Sequence, residues 1–490
     1  MTLLALVLIP TVAGLVAFLI QTDRLRRVLL LVAALLHTGI TLTTWFTPSP
    51  PAVGGWLLLD AVGQVFLSIT SILFLATALY SLPYLRRERH TTHTDFEEGF
   101  LFADAPEARF TGCLLLFLAA MTLVTESQHF GLLWVAIEAT TLASAPLIFF
   151  HRHHRSLEAT WKYLLICSVG IALALLGNFF LAVAAVQPDG SSLPLVVNNL
   201  VQDAAQLHDT WLKAAFLLLL VGYGTKMGLA PLHTWLPDAH SEAPSMVSAL
   251  LSGALLNCAF LGIIRVQQVC AAAGHAAFGQ DLLVGFGLLS MAVAAVFLQQ
   301  QTDYKRLLAY SSVEHMGILA LGVGLGGSGA FGALLHAVNH SLTKAMLFLV
   351  AGNILAAYQS KSTVEVQGVL RVLPVSGVLW VAGFLAITGS PPFGPFLSEF
   401  TILKAALDQG RSGVAIAYLV LLAAIFVGMT TAVLSMAQGT PGKDRSRSAE
   451  EESLLTVLSP AVLGVLVLVL GLYVPPLLRQ TLQDAARVLG

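Results

Sequence analysis

Long apolar segments set the strongest limit on how this chain can fold. The 490 residues form successive runs of mostly apolar side chains, separated by short charged or turn segments. A helix needs roughly 20 such residues to cross the hydrocarbon layer of a membrane. Only 11% of the residues are charged, against roughly 25% in a soluble domain, so the chain cannot cover a water-facing surface. The sequence therefore predicts an all-α polytopic membrane protein.

The apolar runs, bounded by charged and turn residues, predict about fourteen transmembrane helices. Two of them, 211–236 and 371–407, should be interrupted at Pro231 and at Pro391–Pro392, because proline removes a backbone hydrogen bond. The predicted spans are 2–20, 27–45, 56–82, 110–126, 129–150, 158–186, 211–236, 244–268, 281–300, 306–326, 329–357, 371–407, 412–437 and 455–474.

Charge and cysteine usage exclude several classes of function. The chain has 25 basic and 27 acidic residues and no basic tail, so nucleic acid is not an expected partner. Residues 1–20 lack a basic leader and a small-residue cleavage site, which favours a retained span over a removed signal peptide. The cysteines have no CxxC spacing and no matching histidine pairs, so we expect no metal and no cofactor. They are Cys113, Cys167, Cys258 and Cys270.

Basic residues in the loops predict the orientation of the chain. Most Lys and Arg residues outside the spans follow odd-numbered spans, and basic loops remain on the cytoplasmic side. The opposite side holds Lys213, Arg265, Arg411, Arg479 and Arg487. We therefore expect a cell inner-membrane protein with both termini on the non-cytoplasmic side.

Lysines inside predicted spans need compensation, because each costs on the order of 2.5–3.5 kcal/mol at mid-membrane. Carboxylates that also lie inside predicted spans are the candidate compensating groups. Ionisable residues of both signs inside a membrane usually mark an ion path. The lysines are Lys162, Lys226, Lys344 and Lys404, and the carboxylates are Asp60, Glu138, Glu158 and Glu399.

Two parts of the chain resemble each other. Lys162 and Lys344 each have an ionisable residue four positions earlier and a glycine eight positions later, all on one helix face. Each segment is followed by an interrupted span. Chance alone can produce the lysine–glycine match, but interrupted helices at corresponding positions of two halves point to a transport path.

The first interrupted span contains Lys226, five residues before Pro231. The proline leaves backbone carbonyls free to solvate a cation or water. Two interpretations remain open for Lys226: exchange of protons, or a static ion pair with a carboxylate that only orients helices. His233 either bonds the free carbonyls or lines a water path.

The eleventh span carries His336, His340 and Lys344 at steps of four. Their side chains therefore lie along one helix face, over about 12 Å of helix rise. Histidine titrates near physiological pH, so such a stripe suits proton relay. Metal binding by the two histidines is the alternative, but the sequence offers no third ligand at a useful spacing.

Several segments resemble one known family. They are similar to the antiporter-like proton-pumping membrane subunits of respiratory complex I, multi-subunit Na+/H+ antiporters and energy-converting hydrogenases, and most similar to the component F group of hydrogenase-4 and formate hydrogenlyase. The resemblance implies two inverted five-helix repeats, 110–268 and 281–437, between N-terminal helices in 1–109 and a C-terminal helix and tail in 455–490. The segments are WVAIEATTLASAPLIFF (134–150), TKMGLAPLHTWLPDAHSEAPSMVSALL (225–251), DYKRLLAYSSVEHMG (303–317), HAVNHSLTKAMLFLVAG (336–352) and GSPPFGPFLSEFTILKA (389–405).

The resemblance implies roles for residues of the first repeat and of the tenth helix. Glu138 and Lys226 match the glutamate and lysine that hold and release the input proton in the family. Lys305 matches a lysine at the start of the tenth helix. These matches add to the reading of Lys226 as a proton carrier.

The resemblance also assigns the centre and far end of the path. His336, His340 and Lys344 match a central relay on the eleventh helix, and Glu399 matches the ionisable residue of the interrupted twelfth helix. The chain departs from the family at Asn257, where many relatives have a lysine or histidine. Because asparagine cannot titrate, water or a nearby serine would have to carry the proton there.

The function implied by the resemblance is proton translocation within a redox-driven membrane complex. The expected partners are other membrane subunits, lipids, and a peripheral arm with iron-sulfur and, in a hydrogenase, nickel-iron centres. One alternative is a subunit of a cation/proton antiporter with no redox partner. Another is a membrane scaffold whose charges form permanent ion pairs.

Overall fold

The computed structural model describes residues 1–87, 92–94, 99–187, 189–440 and 452–490, and nearly all regular structure in them is helical. The first part contains α1 Thr2–Leu19, α2 Asp23–Thr44, α3 Ala61–Arg87, a short hairpin of β1 Thr92–Thr94 and β2 Leu101–Ala103, α4 Glu107–Glu126, α5 Phe130–Ile148 and α6 His154–Ala184. The middle part contains α7 Val197–Gln202, α8 Asp209–Met227, α9 Trp235–Glu242, α10 Ser245–Leu250, a π-helical segment Leu251–Leu255, α11 Leu256–Ala272, α12 Ala276–Leu298 and α13 Tyr304–Leu325. The last part contains α14 Gly327–Tyr358, α15 Val369–Val372, α16 Pro374–Ile387, α17 Gly394–Asp408, α18 Ser412–Gln438, α19 Leu454–Leu472 and α20 Pro476–Arg487.

The predicted fold class is confirmed. Within the described residues, 12 helical stretches are long and apolar enough to cross a membrane, and each corresponds to one predicted span. The two predicted spans that remain, 211–236 and 371–407, are the interrupted ones. The structure adds the amphipathic helix α20 after the last span, with Leu482 buried and Arg487 exposed.

The third helix begins at Ala61, whereas the sequence predicted a span from residue 56. The backbone before it forms a short 3-10 turn at Val53–Gly55 and then an extended stretch, which bonds to the start of that turn and to the end of α4. Leu57 N donates to Ala52 O at 3.2 Å, and Leu58 N donates to Glu126 O at the end of α4 at 2.9 Å. These bonds satisfy backbone groups that a helix would otherwise use.

The first interruption separates α8 from α9. The chain leaves α8 at Gly228, whose φ of 87° lies in the left-handed region that favours glycine. Pro231 follows in the non-helical stretch before Trp235. The indole Nε1 of Trp235 donates to Thr225 O at 2.9 Å, so a side chain satisfies one of the carbonyls that the break leaves free.

The second interruption separates α16 from α17 and has the same design. Gly389 has a φ of 65°, and prolines follow before α17 begins at Gly394. A side chain at Gly389 would also overlap the carboxylate of Glu399. The interruption therefore brings the backbone close to an ionisable group on the next half-helix.

Burial divides the helices into a centre and a rim. The most apolar 18 residues of the segment Ser245–Ala272 are all buried, and nearly all of the corresponding residues of α13 are buried as well. Helices at the rim, such as α18, expose apolar side chains that suit contact with lipid, for example Val420 and Val427. The central helices carry most of the buried ionisable side chains.

Candidate functional site

A buried cluster in the first half joins α5, α6 and α8. Lys226 Nζ donates to Thr141 Oγ1 at 2.7 Å and to Tyr163 Oη at 2.6 Å. Thr141 Oγ1 in turn lies 3.2 Å from Glu138 Oε2. Glu138 and Lys226, which the sequence predicted to work together, are therefore linked through a hydroxyl, and no direct ion pair joins them among the described residues.

The position of Lys226 follows from the helix break. It lies in the last turn of α8 and is completely buried, where the negative end of the helix dipole favours a cation. Pro231 lies in the break and is exposed. His233 is 6% exposed, and its ring centroid lies 6.3 Å from that of Tyr310. His233 thus lies in the break. Among the described residues, no hydrogen bond joins His233 to Lys226.

The second half contains imidazoles on α13 and α14 that are linked to α17 through a serine hydroxyl. His315 Nδ1 lies 2.9 Å from His336 Nε2, and His336 Nδ1 lies 2.9 Å from Ser398 Oγ. The ring centroids of His315 and His340 are 5.1 Å apart. The predicted stripe on α14 is therefore joined by His315 of α13, which the sequence analysis did not single out.

Lys344 lies on α14 and joins this helix to α13. Its Nζ donates to Leu308 O of α13 at 2.7 Å, and the side chain is completely buried. Glu314 lies near enough to interact electrostatically with Lys344, and its Oε2 lies 3.9 Å from His315 Nε2. Glu399, on α17, is 7% exposed, and its Oε1 has no hydrogen-bond partner among the described residues.

Asn257 faces the interior, as the alignment with the family requires. Its Nδ2 donates to Gly253 O at 2.9 Å and to Ser341 Oγ at 2.8 Å on α14. Ser252 Oγ, the other group considered for this step, lies 2.8 Å from Ser312 Oγ on α13. Hydroxyl groups therefore line this stretch around Asn257.

Lys305 lies where α13 meets the end of α9. Its Nζ donates to Ser241 O at 2.9 Å and to Ala243 O at 2.6 Å. Between these two residues, Glu242 pairs with Lys361 at 2.8 Å. Glu242 is a buried acid that the sequence predictions did not include; its signal was a carboxylate two residues before Pro244, at the start of the predicted span 244–268.

Two of the lysines predicted to lie within spans are exposed in this chain. Lys162 has 46% of its side chain exposed and pairs with Glu158 at 2.7 Å and Asp238 at 2.9 Å. Lys404 has 63% of its side chain exposed and pairs with Asp408 on the same helix. The structure does not bring either lysine into contact with the buried clusters.

Asp60 compensates an arginine, whereas the sequence analysis proposed it as a partner for a lysine. Arg265 Nη1 lies 2.5 Å from Asp60 Oδ2, and Nη2 lies 2.8 Å from Oδ1. Arg265 was assigned to a loop, but it is 1% exposed within α11. The paired fork geometry ties the start of α3 to α11 and indicates a structural role.

We expect Asp60→Asn to destabilise the protein, because it leaves the Arg265 charge buried without a carboxylate partner, at a cost of about 3 kcal/mol. The melting temperature of the purified protein and the amount of the protein in the membrane fraction would measure this loss. The double variant Asp60→Asn/Arg265→Gln should recover part of the stability. Equal stability of the single variant and the unchanged protein would contradict the structural role.

Metal binding is the alternative use of the imidazoles. Donor atoms of His315, His336 and Glu399 lie within 4.8 Å of one another, so this group contains only His336 of the two predicted histidines and does not include His340. However, both ring nitrogens of His336 already hydrogen-bond, one to His315 and one to Ser398. A metal would have to break at least one of these bonds, so the arrangement suits proton transfer better.

Four residues of the buried clusters were not predicted from the sequence, for one common reason. Thr141, Tyr163, Glu314 and His315 act through contacts between helices, and a linear pattern reports only neighbours on the same helix. For Glu314 and His315 a signal was present, because two adjacent ionisable residues in an apolar span are rare. For Thr141 and Tyr163 no such signal exists.

Comparison with known proteins identifies the family of the chain. Residues 127–431 match the family model described as NADH:quinone oxidoreductase/Mrp antiporter, TM. The chain is 36% identical to a hydrogenase-4 component F homolog of Methylacidiphilum infernorum (isolate V4), over 100% of both chains. It is 30% identical to Na(+)/H(+) antiporter subunit A1 of Staphylococcus haemolyticus (strain JCSC1435), over 86% of this chain and 54% of the relative.

A solved structure shows the same fold. A chain of the membrane-bound sulfane sulfur reductase, an archaeal respiratory membrane complex, superposes with a TM-score of 0.86 at 20% identity, over 99% of this chain and 97% of that one. The fold, the matched region and the full-length similarity agree with one another. The chain therefore belongs to the NADH:quinone oxidoreductase/Mrp antiporter transmembrane family and is an antiporter-like subunit related to those of hydrogenase, complex I and Mrp-type complexes.

Proposed function

We propose that this chain translocates protons as a subunit of a redox-driven membrane complex of the hydrogenase or complex I type. The path comprises Glu138 and Lys226 in the first half, and Lys305, His336, His340, Lys344 and Glu399 in the second. One observation carries the proposal: three buried lysines of the path, Lys226, Lys305 and Lys344, contact neutral oxygens, and no carboxylate among the described residues pairs with them directly. Lys226 bonds hydroxyls, and Lys305 and Lys344 bond backbone carbonyls.

This pattern argues against a scaffold of permanent ion pairs. A lysine paired directly with a carboxylate would lose a strong charge interaction on deprotonation. A lysine that donates to a hydroxyl or carbonyl can release its proton while the acceptor remains neutral. The groups needed to pass that proton on are nearby, because Tyr163 Oη lies 2.7 Å from Ser144 Oγ and His315 lies 2.9 Å from His336.

The redox-driven assignment rests on similarity to the hydrogenase-4 component F homolog over the full length of both chains. We infer that the partners are other membrane subunits, lipids, and a peripheral arm with iron-sulfur and, in a hydrogenase, nickel-iron centres. Glu138 supports a membrane partner: it is only half-buried, and its helix exposes Val135 and Leu142. Because a carboxylate facing lipid is costly, another protein should cover this face.

We further propose an inner-membrane location with both termini on the non-cytoplasmic side, as the basic loops indicate. The proposed organisation has inverted repeats at 110–268 and 281–437, flanked by N-terminal helices in 1–109 and by a C-terminal part in 455–490. The interruptions between α8 and α9 and between α16 and α17 support it, because each lies at a corresponding position of its repeat.

The second candidate function is cation/proton antiport without a redox partner. It is favoured by the 30% identity to an antiporter subunit over 86% of this chain. The buried clusters suit both functions, because each requires groups that bind and release protons.

The composition of the native complex separates the two functions. The complex would be purified through an affinity tag on this chain, its subunits identified by mass spectrometry, and its iron and nickel measured by elemental analysis. We expect co-purified subunits with stoichiometric iron and an iron-sulfur signal in electron paramagnetic resonance. A stable complex of small membrane subunits without iron would contradict the redox-driven assignment. Mock purification from an untagged strain controls for contaminating metalloproteins.

A further inference from the structure

His240 is a buried imidazole that the path described above does not use. It lies on α9, and its ring is completely buried. Neither ring nitrogen has a hydrogen-bond partner among the described residues. Buried polar atoms normally have hydrogen-bond partners. The two nitrogens of His240 therefore either bond to a water or have a role that requires them to be unpaired.

The neighbours of His240 place it between two lysines of the path. Its ring stacks on Phe348, with centroids 5.0 Å apart, and Phe348 lies one helical turn beyond Lys344 on α14. On the other side, Lys305 Nζ bonds the carbonyl oxygens of Ser241 and Ala243, which follow His240 in the chain. Both lysines lie near enough to interact electrostatically with the His240 ring.

Lys305 and Lys344 also approach each other along α13. Lys344 Nζ bonds Leu308 O, and Leu308 lies one turn after Lys305. No hydrogen bond given by the described residues connects the two amino groups, so a proton needs an intermediate group to pass between them. His340 lies one turn before Lys344 on α14, and its two ring nitrogens also lack partners among the described residues.

We propose that His240 transfers protons between Lys305 and Lys344. The imidazole accepts a proton at one nitrogen from the Lys305 ammonium and releases one from the other nitrogen to neutral Lys344, directly or through a bound water. One proton enters the ring and one leaves it, so the ring is again neutral. It regains its starting tautomer before the next transfer. Stacking on Phe348 holds the ring plane without occupying either nitrogen. The inference rests on the proposed function of the chain.

The test replaces His240 by Gln and by Met in the native complex, reconstituted into liposomes. Gln retains hydrogen bonding but does not titrate, and Met fills a similar volume without either property. We expect both variants to lower the rate of proton uptake about tenfold or more, with normal assembly and melting temperature. The solvent isotope effect on uptake should rise, because proton transfer becomes rate-limiting; a purely structural defect would not raise it.

His37→Gln is the matched control. His37 is also buried, but both of its ring nitrogens are bonded, to Thr122 and Ser71, in the N-terminal helices. Uptake by this variant should stay near that of the unchanged complex. Glu138→Gln is measured in parallel: if it stops uptake while both His240 variants remain normal, the His240 role is overturned and the proposed function stands. A loss of uptake in the His240 variants without the isotope effect also overturns the role.

Discussion

Glu138→Gln is expected to lower the rate of coupled proton translocation by about 10²-fold or more, while the complex still assembles. Glutamine can keep a hydrogen bond to Thr141, which links Glu138 to Lys226, but it cannot take up or release a proton near neutral pH. The measurement is acidification of liposomes containing the purified complex, followed with a pH-sensitive dye.

Glu158→Gln provides a control of the same chemistry. Glu158 pairs with Lys162 near the surface, and 53% of its side chain is exposed, so its loss should change both stability and uptake little. Near-normal acidification by Glu138→Gln would remove the transport role and favour the scaffold alternative. Loss of the assembled complex would instead identify Glu138 as a subunit contact.

Lys344→Ala is expected to block proton uptake more severely than His340→Ala. Lys344 is completely buried and bonds Leu308 O on the neighbouring helix, so its removal eliminates both a proton carrier and a contact. The ring nitrogens of His340 have no partner among the described residues, and a water can occupy the space of the imidazole. We expect a loss of about 10²-fold for Lys344→Ala and about tenfold or less for His340→Ala.

Two further lysine variants make the comparison specific. Lys344→Met keeps most of the side-chain volume and should lose uptake as Lys344→Ala does, which separates lost titration from a cavity. Lys404→Met removes a mostly exposed lysine on α17 and should leave uptake unchanged. Equal, mild effects of Lys344→Ala and His340→Ala would argue against a relay along α14.

The order of the spans and the places where two of them break were predictable from the amino-acid sequence. Membrane helices need about 20 consecutive apolar residues, and a glycine followed closely by proline, as at Gly228 with Pro231 and at Gly389 with Pro391, favours a break in the helix. The stripe of His336, His340 and Lys344 was also predictable, because residues four apart share a helix face. These features depend only on local covalent geometry and on hydrophobicity.

The partner of each charged group was decided by the tertiary structure. Lys226 bonds Thr141, which is 85 positions away in the chain, and Arg265 bonds Asp60, which is 205 positions away. His315 and His336 meet because α13 and α14 pack together. Helix periodicity predicts which residues share a face, but not which helix that face contacts. The contacts between helices depend on how all the apolar surfaces pack at once, so they emerge only in the folded bundle.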